Sequence, residues 1–310
     1  MNNLPELILY KFLFNIEFLE NTRLPEFYGS TFRGAFGWEL KKSTDGIYPV
    51  YKNIFETEGG ENSPEFLKGV KKIPHPFILH TPFNTKTNFV KGEMAVIGMT
   101  LVGYTHNFLP SIIEAFSLMG KDGITFNRNK FKLLNVINED ISGSRQLIYE
   151  SLTNEFIKKY KPITLKDILS GIDYDVKKVR LKFEAPFLIQ VNSKEIMEKD
   201  KMKILPAVLV GTIERRYKAL SRFFCREGSE NRELFRPDSS VTINNADIKN
   251  YYLLRYSNRS KTKQTFIGLC GSIILEGNLK SILPVLYIGE KINLGKKTSF
   301  SWGQYKIEIL

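Results

Sequence analysis

The sequence is poor in the residues that build metal sites, disulfides and membrane spans. Its two cysteines, Cys225 and Cys270, lie in apolar segments and supply neither a disulfide framework nor a set of metal ligands. Carboxylates at the spacing of a two-metal nuclease are also missing, so we expect no metal and no cofactor. The apolar run at residues 94–104 is too short to cross a bilayer, and the first residues do not resemble a signal peptide. We therefore expect a cytoplasmic protein without a membrane partner.

Positive charge is abundant but unevenly distributed. The net charge is +12, and residues 1–160 carry 18 basic and 17 acidic side chains. Residues 161–310 carry 27 basic and 16 acidic side chains, so nearly all of the surplus belongs to the second half. Such asymmetry favours a polyanionic partner, of which nucleic acid is the commonest. Charge that serves only solubility is the alternative.

The apolar periodicity repeats along the chain. In the first half it predicts strands at 10–18, 76–81, 90–102 and 130–137, with helices at 31–42 and 109–119. We expect Ser30 or Thr31 to cap the first helix and Gly120 to end the second. In the second half it predicts strands at 179–191, 248–256, 265–275 and 302–310, with helices at 206–226 and 279–287.

Two βαββαβ units in tandem define the predicted fold class: α+β, with two ferredoxin-like domains of the RNA-recognition type. We expect an N-terminal domain at 1–140, a linker with short ordered segments at 141–176, and a C-terminal domain at 177–310. One large α+β sheet is the alternative.

Basic side chains cluster at two places in the second half. On the helix at 206–226 the helical period places an apolar face opposite a basic face, which is free for solvent or phosphate. A second cluster surrounds the turn at 257–260 and suits the tip of a hairpin. The predicted RNA-binding residues of these clusters are Arg215, Lys218, Arg222, Arg226, Arg255, Arg259, Lys261 and Lys263.

A glycine-rich stretch at 289–305 precedes the last strand. It lacks the Gly-x4-Gly-Lys-[Ser/Thr] spacing of a nucleotide-triphosphate loop, but its glycines, lysines, hydroxyls and aromatic suit a phosphodiester chain. We expect its glycines to serve close approach to phosphate rather than packing; an ordinary surface loop is the alternative. The residues assigned to RNA here are Gly295, Lys296, Lys297, Ser299, Trp302 and Gly303.

Several segments together resemble the CRISPR repeat-processing endoribonucleases of the RAMP superfamily. The specific ones are Tyr28-Gly-Ser-Thr-Phe-Arg-Gly-Ala-Phe-Gly37 and the terminal Gly295-Lys-Lys-Thr-Ser-Phe-Ser-Trp-Gly-Gln-Tyr305. Looser ones include Tyr51-Lys-Asn-Ile-Phe55, Tyr256-Ser-Asn-Arg259 and Gly268-Leu-Cys-Gly271. The resemblance implies two ferredoxin-like domains and metal-independent cleavage of CRISPR precursor RNA within its repeats. Arg33 and Lys41, in and just after the first of these segments, are further predicted RNA-binding residues.

This chain departs from the family at the catalytic position. Many relatives carry a histidine after the glycine that matches Gly37, and Trp38 stands there instead. Cleavage without a metal still needs a base for the 2′-hydroxyl, cations for the phosphate oxygens and an acid for the leaving 5′-oxygen. The candidates are Tyr28, Lys42 and His106, whereas His75 and His80 flank an apolar strand, where a structural role is favoured.

Two functions from different classes follow. The first is an endoribonuclease that cuts repeat RNA and leaves a 2′,3′-cyclic phosphate. The second is a non-catalytic RAMP-type subunit that holds the guide RNA, which Trp38 makes credible. The expected partners are CRISPR repeat RNA and other CRISPR effector subunits, and the protein is expected to be a monomer or a homodimer.

Overall fold

The computed structural model describes residues 4–44, 50–57, 73–83, 85–157, 159–225, 233–257 and 262–310. The first half contains two main helices and a sheet whose central strand is the alternating apolar segment of the sequence. Its elements are β1 (Ile8–Phe18), β2 (Thr22–Arg23), α1 (Gly29–Thr44), α2 (Val50–Ile54), β3 (Phe77–His80), β4 (Asn88–Phe89), β5 (Met94–Val102), α3 (Leu109–Asp122), β6 (Phe131–Glu139), β7 (Arg145–Glu150), β8 (Glu155–Phe156), β9 (Ile163–Thr164) and α4 (Leu165–Ser170).

The first sheet is antiparallel, with β1 and β5 between β3 and β6. Its order is β3-β5-β1-β6-β7-β8, and β9 also pairs with β1. Because β1 alternates, Phe12, Phe14 and Ile16 are buried on one face. They meet α1 and α3 there, and the rings of Phe14 and Phe116 stack with centroids 4.2 Å apart. The helices therefore cover one face of the sheet.

The second half repeats this arrangement with longer strands. Its elements are β10 (Lys178–Phe183), β11 (Gln190–Val191), β12 (Lys194–Glu195), α5 (Pro206–Phe224), β13 (Thr242–Ser257), β14 (Thr262–Glu276), α6 (Leu283–Ile292) and β15 (Tyr305–Ile309). The main sheet has the order β13-β14-β10-β15 and is antiparallel throughout. Both sheets thus place the first and third strands of a βαββαβ unit at the centre, so the predicted fold class is confirmed and the single large sheet is wrong.

The two halves share buried surface. Leu7, Leu9 and Val102 of the first half belong to the same apolar cluster as the core of the second half. The main chain at Pro5 and Glu6 accepts hydrogen bonds from the hydroxyls of Tyr217 and Ser221 on α5. The start of the chain is therefore fixed by a helix of the second half.

Element boundaries differ from the predictions at the helix ends. α1 begins at Gly29, so Ser30 and Thr31 lie inside its first turn rather than at its cap. α3 continues through Gly120 to Asp122, and Gly123, with φ of +83°, ends it by donating its N–H to Met119. Gly120 is instead a packing residue, because a Cβ there would lie 2.3 Å from the carbonyl oxygen of Phe131.

The stretch predicted as a linker, 141–176, contributes β7, β8 and β9 to the first sheet and also forms α4. α4 begins with a capping box in which Thr164 and Asp167 bond reciprocally to each other's main-chain N–H. The domain bounds themselves remain a prediction.

Candidate functional site

The glycine-rich loop at 294–303 is held against the protein by main-chain hydrogen bonds at both ends. The N–H of Leu294 donates to the carbonyl of Gly303 at 2.8 Å, and Gly303 donates to Pro186 at 2.7 Å. In between, Lys296 donates to Leu188 at 2.9 Å. These bonds fix the loop so that its short 3-10 turn, Thr298–Phe300, faces the start of α1.

The loop glycines are required by packing inside the protein. Gly295 and Gly303 have φ of +86° and +78°, which side chains rarely adopt. A Cβ would lie 2.2 Å from the Leu188 oxygen at the first position and 1.9 Å from the Leu294 oxygen at the second. The expectation that they serve phosphate approach rather than packing is therefore wrong.

Arg33 of α1 connects the loop to a histidine. Its Nε donates to Ser299 Oγ at 3.0 Å, and its Nη2 lies 3.1 Å from His75 Nε2. The guanidinium carbon lies 4.2 Å from the centroid of the Phe300 ring and 5.0 Å from that of Phe55. Two rings and two hydrogen bonds thus fix the orientation of this half-buried cation.

The contacts of His75 define which of its ring nitrogens carries hydrogen. Thr57 donates its hydroxyl hydrogen to the Ile73 carbonyl at 2.7 Å, so its oxygen can accept from His75 Nδ1, 3.4 Å away. Nε2 is then the acceptor that faces the Arg33 guanidinium, 3.1 Å away. The arrangement places an imidazole lone pair beside a fixed cation at a half-buried position.

Stacked rings and cations continue from Arg33 along α1. The Phe55 and Tyr51 rings stack with centroids 5.4 Å apart, and the ammonium of Lys41 lies 5.5 Å from the Tyr51 centroid. Lys41 itself is exposed. Two of the positions predicted to contact RNA, Arg33 and Lys41, therefore belong to one continuous run of side chains.

The three predicted catalytic residues lie in different environments. Tyr28 is buried in the first core, and burial raises the pKa of its hydroxyl, which disfavours a base. Lys42 is exposed and lies 2.8 Å from Asp122, which with Glu39 raises the pKa of the ammonium and keeps it protonated. His106 stacks on Tyr10 with centroids 4.2 Å apart and donates Nδ1–H to Gly103 at 2.8 Å. The burial of Tyr28 contradicts a role as base, Lys42 stays a predicted charge clamp, and His106 belongs to a separate aromatic cluster.

The helical period predicts that Lys218 lies on an exposed basic face, and the structure shows otherwise. It is buried and forms a 2.5 Å ion pair with Glu214, which also accepts the N–H groups of Leu234 and Phe235 at 2.9 and 3.2 Å. The segment after α5 covers this part of the helix, so Lys218 does not face solvent. The prediction that it contacts RNA is wrong.

Two loop residues proposed as RNA contacts are enclosed by protein. Trp302 is fully buried, with its ring against Phe27 and Phe266, and so cannot stack on a base. Ser299 is buried as well, and its hydroxyl accepts the hydrogen bond from Arg33. The prediction that Trp302 stacks on RNA is therefore wrong. Ser299 contributes to the site by holding the guanidinium of Arg33.

Other predicted cations reach the surface. Arg215 and Arg222 are exposed on α5. In the loop, Lys296 is exposed with Nζ 2.5 Å from Gln190 Oε1, and the Lys297 ammonium lies 4.0 Å from the Phe266 centroid. Arg226, Arg259 and Lys261 lie outside the described residues, as do the side chains of Arg255 and Lys263.

His80 has the structural role predicted for it. Its Nε2 lies 2.9 Å from Thr100 Oγ1. Burial, with Lys11 nearby, lowers the pKa of the imidazole to about 3. The ring is therefore neutral at physiological pH. In the ranges that the structure covers, no three His, Cys, Asp or Glu side chains are placed to hold a metal ion. Within the same ranges, no helix has both the length and the apolarity needed to cross a membrane.

Sequence reasoning missed His75, Phe55 and Phe300 as parts of one site. They come from separate segments, and the local pattern at Pro74-His-Pro76 suggests only a strand end. The sequence signal was the two prolines that flank His75 and keep it outside the strand, and the structure places it two residues before β3, at the edge of the sheet.

Two family models match different parts of the chain. Residues 181–305 match the model of the CRISPR-associated endoribonuclease Cas6, and residues 7–161 match a model, AF_1859_N, that is described as an N-terminal domain. A comparison with curated proteins gave no match.

Solved structures similar to this chain have low sequence identity. The Cas6 (TTHB231) product complex has 13% identity and a TM-score of 0.55, covering 98% of this chain and 99% of that chain. The Thermus thermophilus Cas6 (TTHB231) structure has 13% identity and a TM-score of 0.53, covering 97% and 99%. A partial Cas6-RT-Cas1–Cas2 complex has 12% identity and a TM-score of 0.56; 98% of this chain matches 46% of that one. These likenesses establish a shared fold.

Proposed function

Because this chain belongs to the family of the CRISPR-associated endoribonuclease Cas6, we propose that it cleaves precursor CRISPR RNA within the repeats without a metal ion. The cut leaves a 2′,3′-cyclic phosphate on the upstream product. The observation that carries this proposal is the fixed contact of Arg33 with both His75 and Ser299, which joins α1 to the glycine-rich loop.

We assign the proton acceptor to His75. Its Nε2 lone pair faces the Arg33 guanidinium, so a phosphate bound by Arg33 lies next to a base. When RNA binds, a phosphate oxygen replaces Nε2 as the acceptor of the Arg33 Nη2–H, and the lone pair of His75 then takes the proton of the 2′-hydroxyl. The 2′-oxygen attacks phosphorus, and the bond from phosphorus to the 5′-oxygen breaks. Water supplies a proton to the leaving oxygen, and the guanidinium offsets the charge that develops on the phosphate oxygens.

The test compares His75→Ala with His106→Asn in single-turnover cleavage of repeat RNA. General-base catalysis contributes on the order of 10²–10⁴-fold, so His75→Ala is expected to lose at least about 100-fold in rate. Its affinity for RNA should change less than about threefold, since Arg33 and the surface cations remain. His106→Asn is the matched control and should cleave like the wild type. A normal rate for His75→Ala, with thermal melts confirming folded protein, would refute this assignment.

The non-catalytic subunit remains the second candidate, because the exposed Trp38 stands where many relatives have a histidine. Incubation of the full chain with repeat RNA in EDTA separates the two. Product with a cyclic phosphate supports the endoribonuclease, whereas tight binding without product supports the subunit that only holds RNA.

A further inference from the structure

Trp38 is an exposed indole on the outer face of α1. Its exposed fraction is 67%, whereas the other tryptophan of the chain, Trp302, is fully buried. A single exposed apolar side chain is common on protein surfaces and alone carries no conclusion.

The first neighbour is Gly34, one turn before Trp38. Side chains on a helix lean toward its N-terminus, so the indole lies over the turn that contains Gly34. A glycine inside a helix lowers the free energy of unfolding by about 0.5–1 kcal/mol relative to alanine. We therefore look for a packing or functional reason for each glycine of α1. Gly29 and Gly37 are explained by packing, because a Cβ would lie 2.6 Å from the Phe300 oxygen and 2.8 Å from the Phe55 ring, respectively.

Gly34 has no such explanation. It is exposed, and a Cβ built there would meet nothing within 4 Å. The sequence therefore leaves open space beside the indole at a place where the helix would be more stable with alanine.

The second set of neighbours carries positive charge. Lys41 and Lys42 follow Trp38 by three and four residues, which places them on the same face, and both are exposed. The one carboxylate of α1, Glu39, is buried. Asp122 of α3 is exposed and pairs with Lys42 at 2.8 Å, so a nucleotide on this face would place its phosphate at Lys41 while its base stacks on the ring.

The position along the helix connects this face to the site. Trp38 follows Arg33 by five residues, which is about 7.5 Å of helix rise. The two side chains are also about 140° apart around the helix, with Lys41 between their directions, so a base on Trp38 belongs to a nucleotide next to the one whose phosphate meets Arg33.

We propose that Trp38 is a stacking platform for an unpaired nucleobase of the bound RNA, with Gly34 keeping the approach to the indole open. This inference rests on the proposed function, which supplies RNA as the ligand. It assigns to Trp38 a role in positioning RNA rather than in proton transfer.

Because Trp302 is buried, tryptophan emission distinguishes the two residues. The probes are a 12-nucleotide oligoadenylate and an abasic ribose-phosphate oligomer of the same length. Oligoadenylate is expected to quench the emission of the wild type, and the abasic oligomer is not. Trp38→Phe should abolish the quenching, because only the enclosed Trp302 remains.

Affinity gives a second measurement. Trp38→Ala should weaken oligoadenylate binding about tenfold, which corresponds to a base stack of about 1.4 kcal/mol, and leave binding of the abasic oligomer unchanged. Trp38→Phe should recover part of the loss. Gly34→Leu, which fills the open space while keeping the indole, should weaken oligoadenylate binding as well.

The outcomes separate the inference from the function on which it rests. Cleavage of repeat RNA with unchanged Trp38 emission and normal affinity of Trp38→Ala would overturn the stacking role and leave the function intact. Failure of the wild type to bind either repeat RNA or oligoadenylate would overturn both. Quenching that persists in Trp38→Phe would assign the signal to Trp302 and also refute the platform.

Discussion

Arg33 is the residue at which the loop, α1 and the segment before β3 meet. Its planar guanidinium suits this position because it stacks between two rings while donating in its own plane. A lysine carries the same charge but cannot make these contacts together. The fixed cation beside His75 is therefore a property of arginine rather than of positive charge alone.

Glu39 gives a prediction about pH and stability. Burial, with Asp122 nearby, raises the pKa of its carboxyl, so the native state favours the protonated form. Its favourable contribution is present below the usual pKa of a glutamate and is lost as pH rises through the raised value. Glu39→Gln should therefore increase the free energy of unfolding relative to the wild type at pH 7 and show no such gain at pH 4.

Glu93 provides a control, because its pKa is shifted in the opposite direction to that of Glu39. Its hydrogen bond with Lys86 and the N–H of Val90 lower the pKa of the carboxyl, so its contribution is present at neutral pH and disappears on acidification. Glu93→Gln should lose stability at pH 7, and the loss should vanish at low pH. Urea titrations of both variants at the two pH values measure this, and the same sign for both variants would contradict the assignment.

At the scale of elements, the helices and central strands could be predicted because their signals are local. The alternation of β1 and the 3.6-residue period of α3 and α5 correspond directly to their buried faces. Gly120 misled the prediction of a helix end because its close approach to Phe131 depends on a strand beyond the helix. Local pattern identifies an element better than it identifies its boundary.

The site was only partly predictable for the same reason. Arg33 and Ser299 are 266 residues apart, and only the family resemblance pointed to both. The helical period placed Lys218 on a basic face, but it contains no information about the segment that covers Glu214. Trp302 was assigned to RNA from its loop composition, whereas a ring of that size in a fixed loop packs inward against Phe27.

Glycine substitutions in α1 should have opposite effects. Gly34→Ala adds a methyl group in open space and is expected to raise the free energy of unfolding by about 0.5–1 kcal/mol. Gly37→Ala is the matched control in the same helix, and it should destabilise, because its Cβ would lie 2.8 Å from the Phe55 ring. Denaturant titrations measure both, and a loss of stability in Gly34→Ala would contradict the open space described here.

The glycine-rich loop makes a separate prediction. Gly303→Ala forces a left-handed backbone and a contact with the Leu294 oxygen, so the protein should melt at a lower temperature. Replacing Lys296 and Lys297 with alanine should leave the melting temperature nearly unchanged and weaken RNA binding or cleavage by at least ~1 kcal/mol. Filter binding and calorimetry on the same preparations check this. A destabilised double lysine variant, or unchanged binding and cleavage, would argue for a purely structural loop.

At the scale of the whole molecule, the charge distribution predicts where affinity for RNA arises. Arg215→Glu with Arg222→Glu reverses two exposed cations in the basic half and should weaken RNA binding strongly at low salt. The slope of log affinity against log salt should also become shallower, because fewer counterions are released.

The control for this prediction is Lys86→Glu, an exposed cation in the balanced half. Lys68 and Lys71, the first choices from sequence, lie outside the described residues. Equal losses of affinity in the double variant and in Lys86→Glu would show that the basic half does not dominate binding.

The hydrogen bonds from α5 to Pro5 and Glu6 have a consequence for synthesis on the ribosome. The partners are separated by 212 residues for Tyr217 and 215 for Ser221. At about 5–20 residues per second, the first segment waits roughly 10–40 s after it is made before its helix exists. Leu7 and Leu9 belong to an apolar cluster built mainly from the second half, so they stay partly uncovered during that interval. A newly made chain therefore presents a short apolar segment at the start of β1 that nascent-chain chaperones can bind until translation reaches α5.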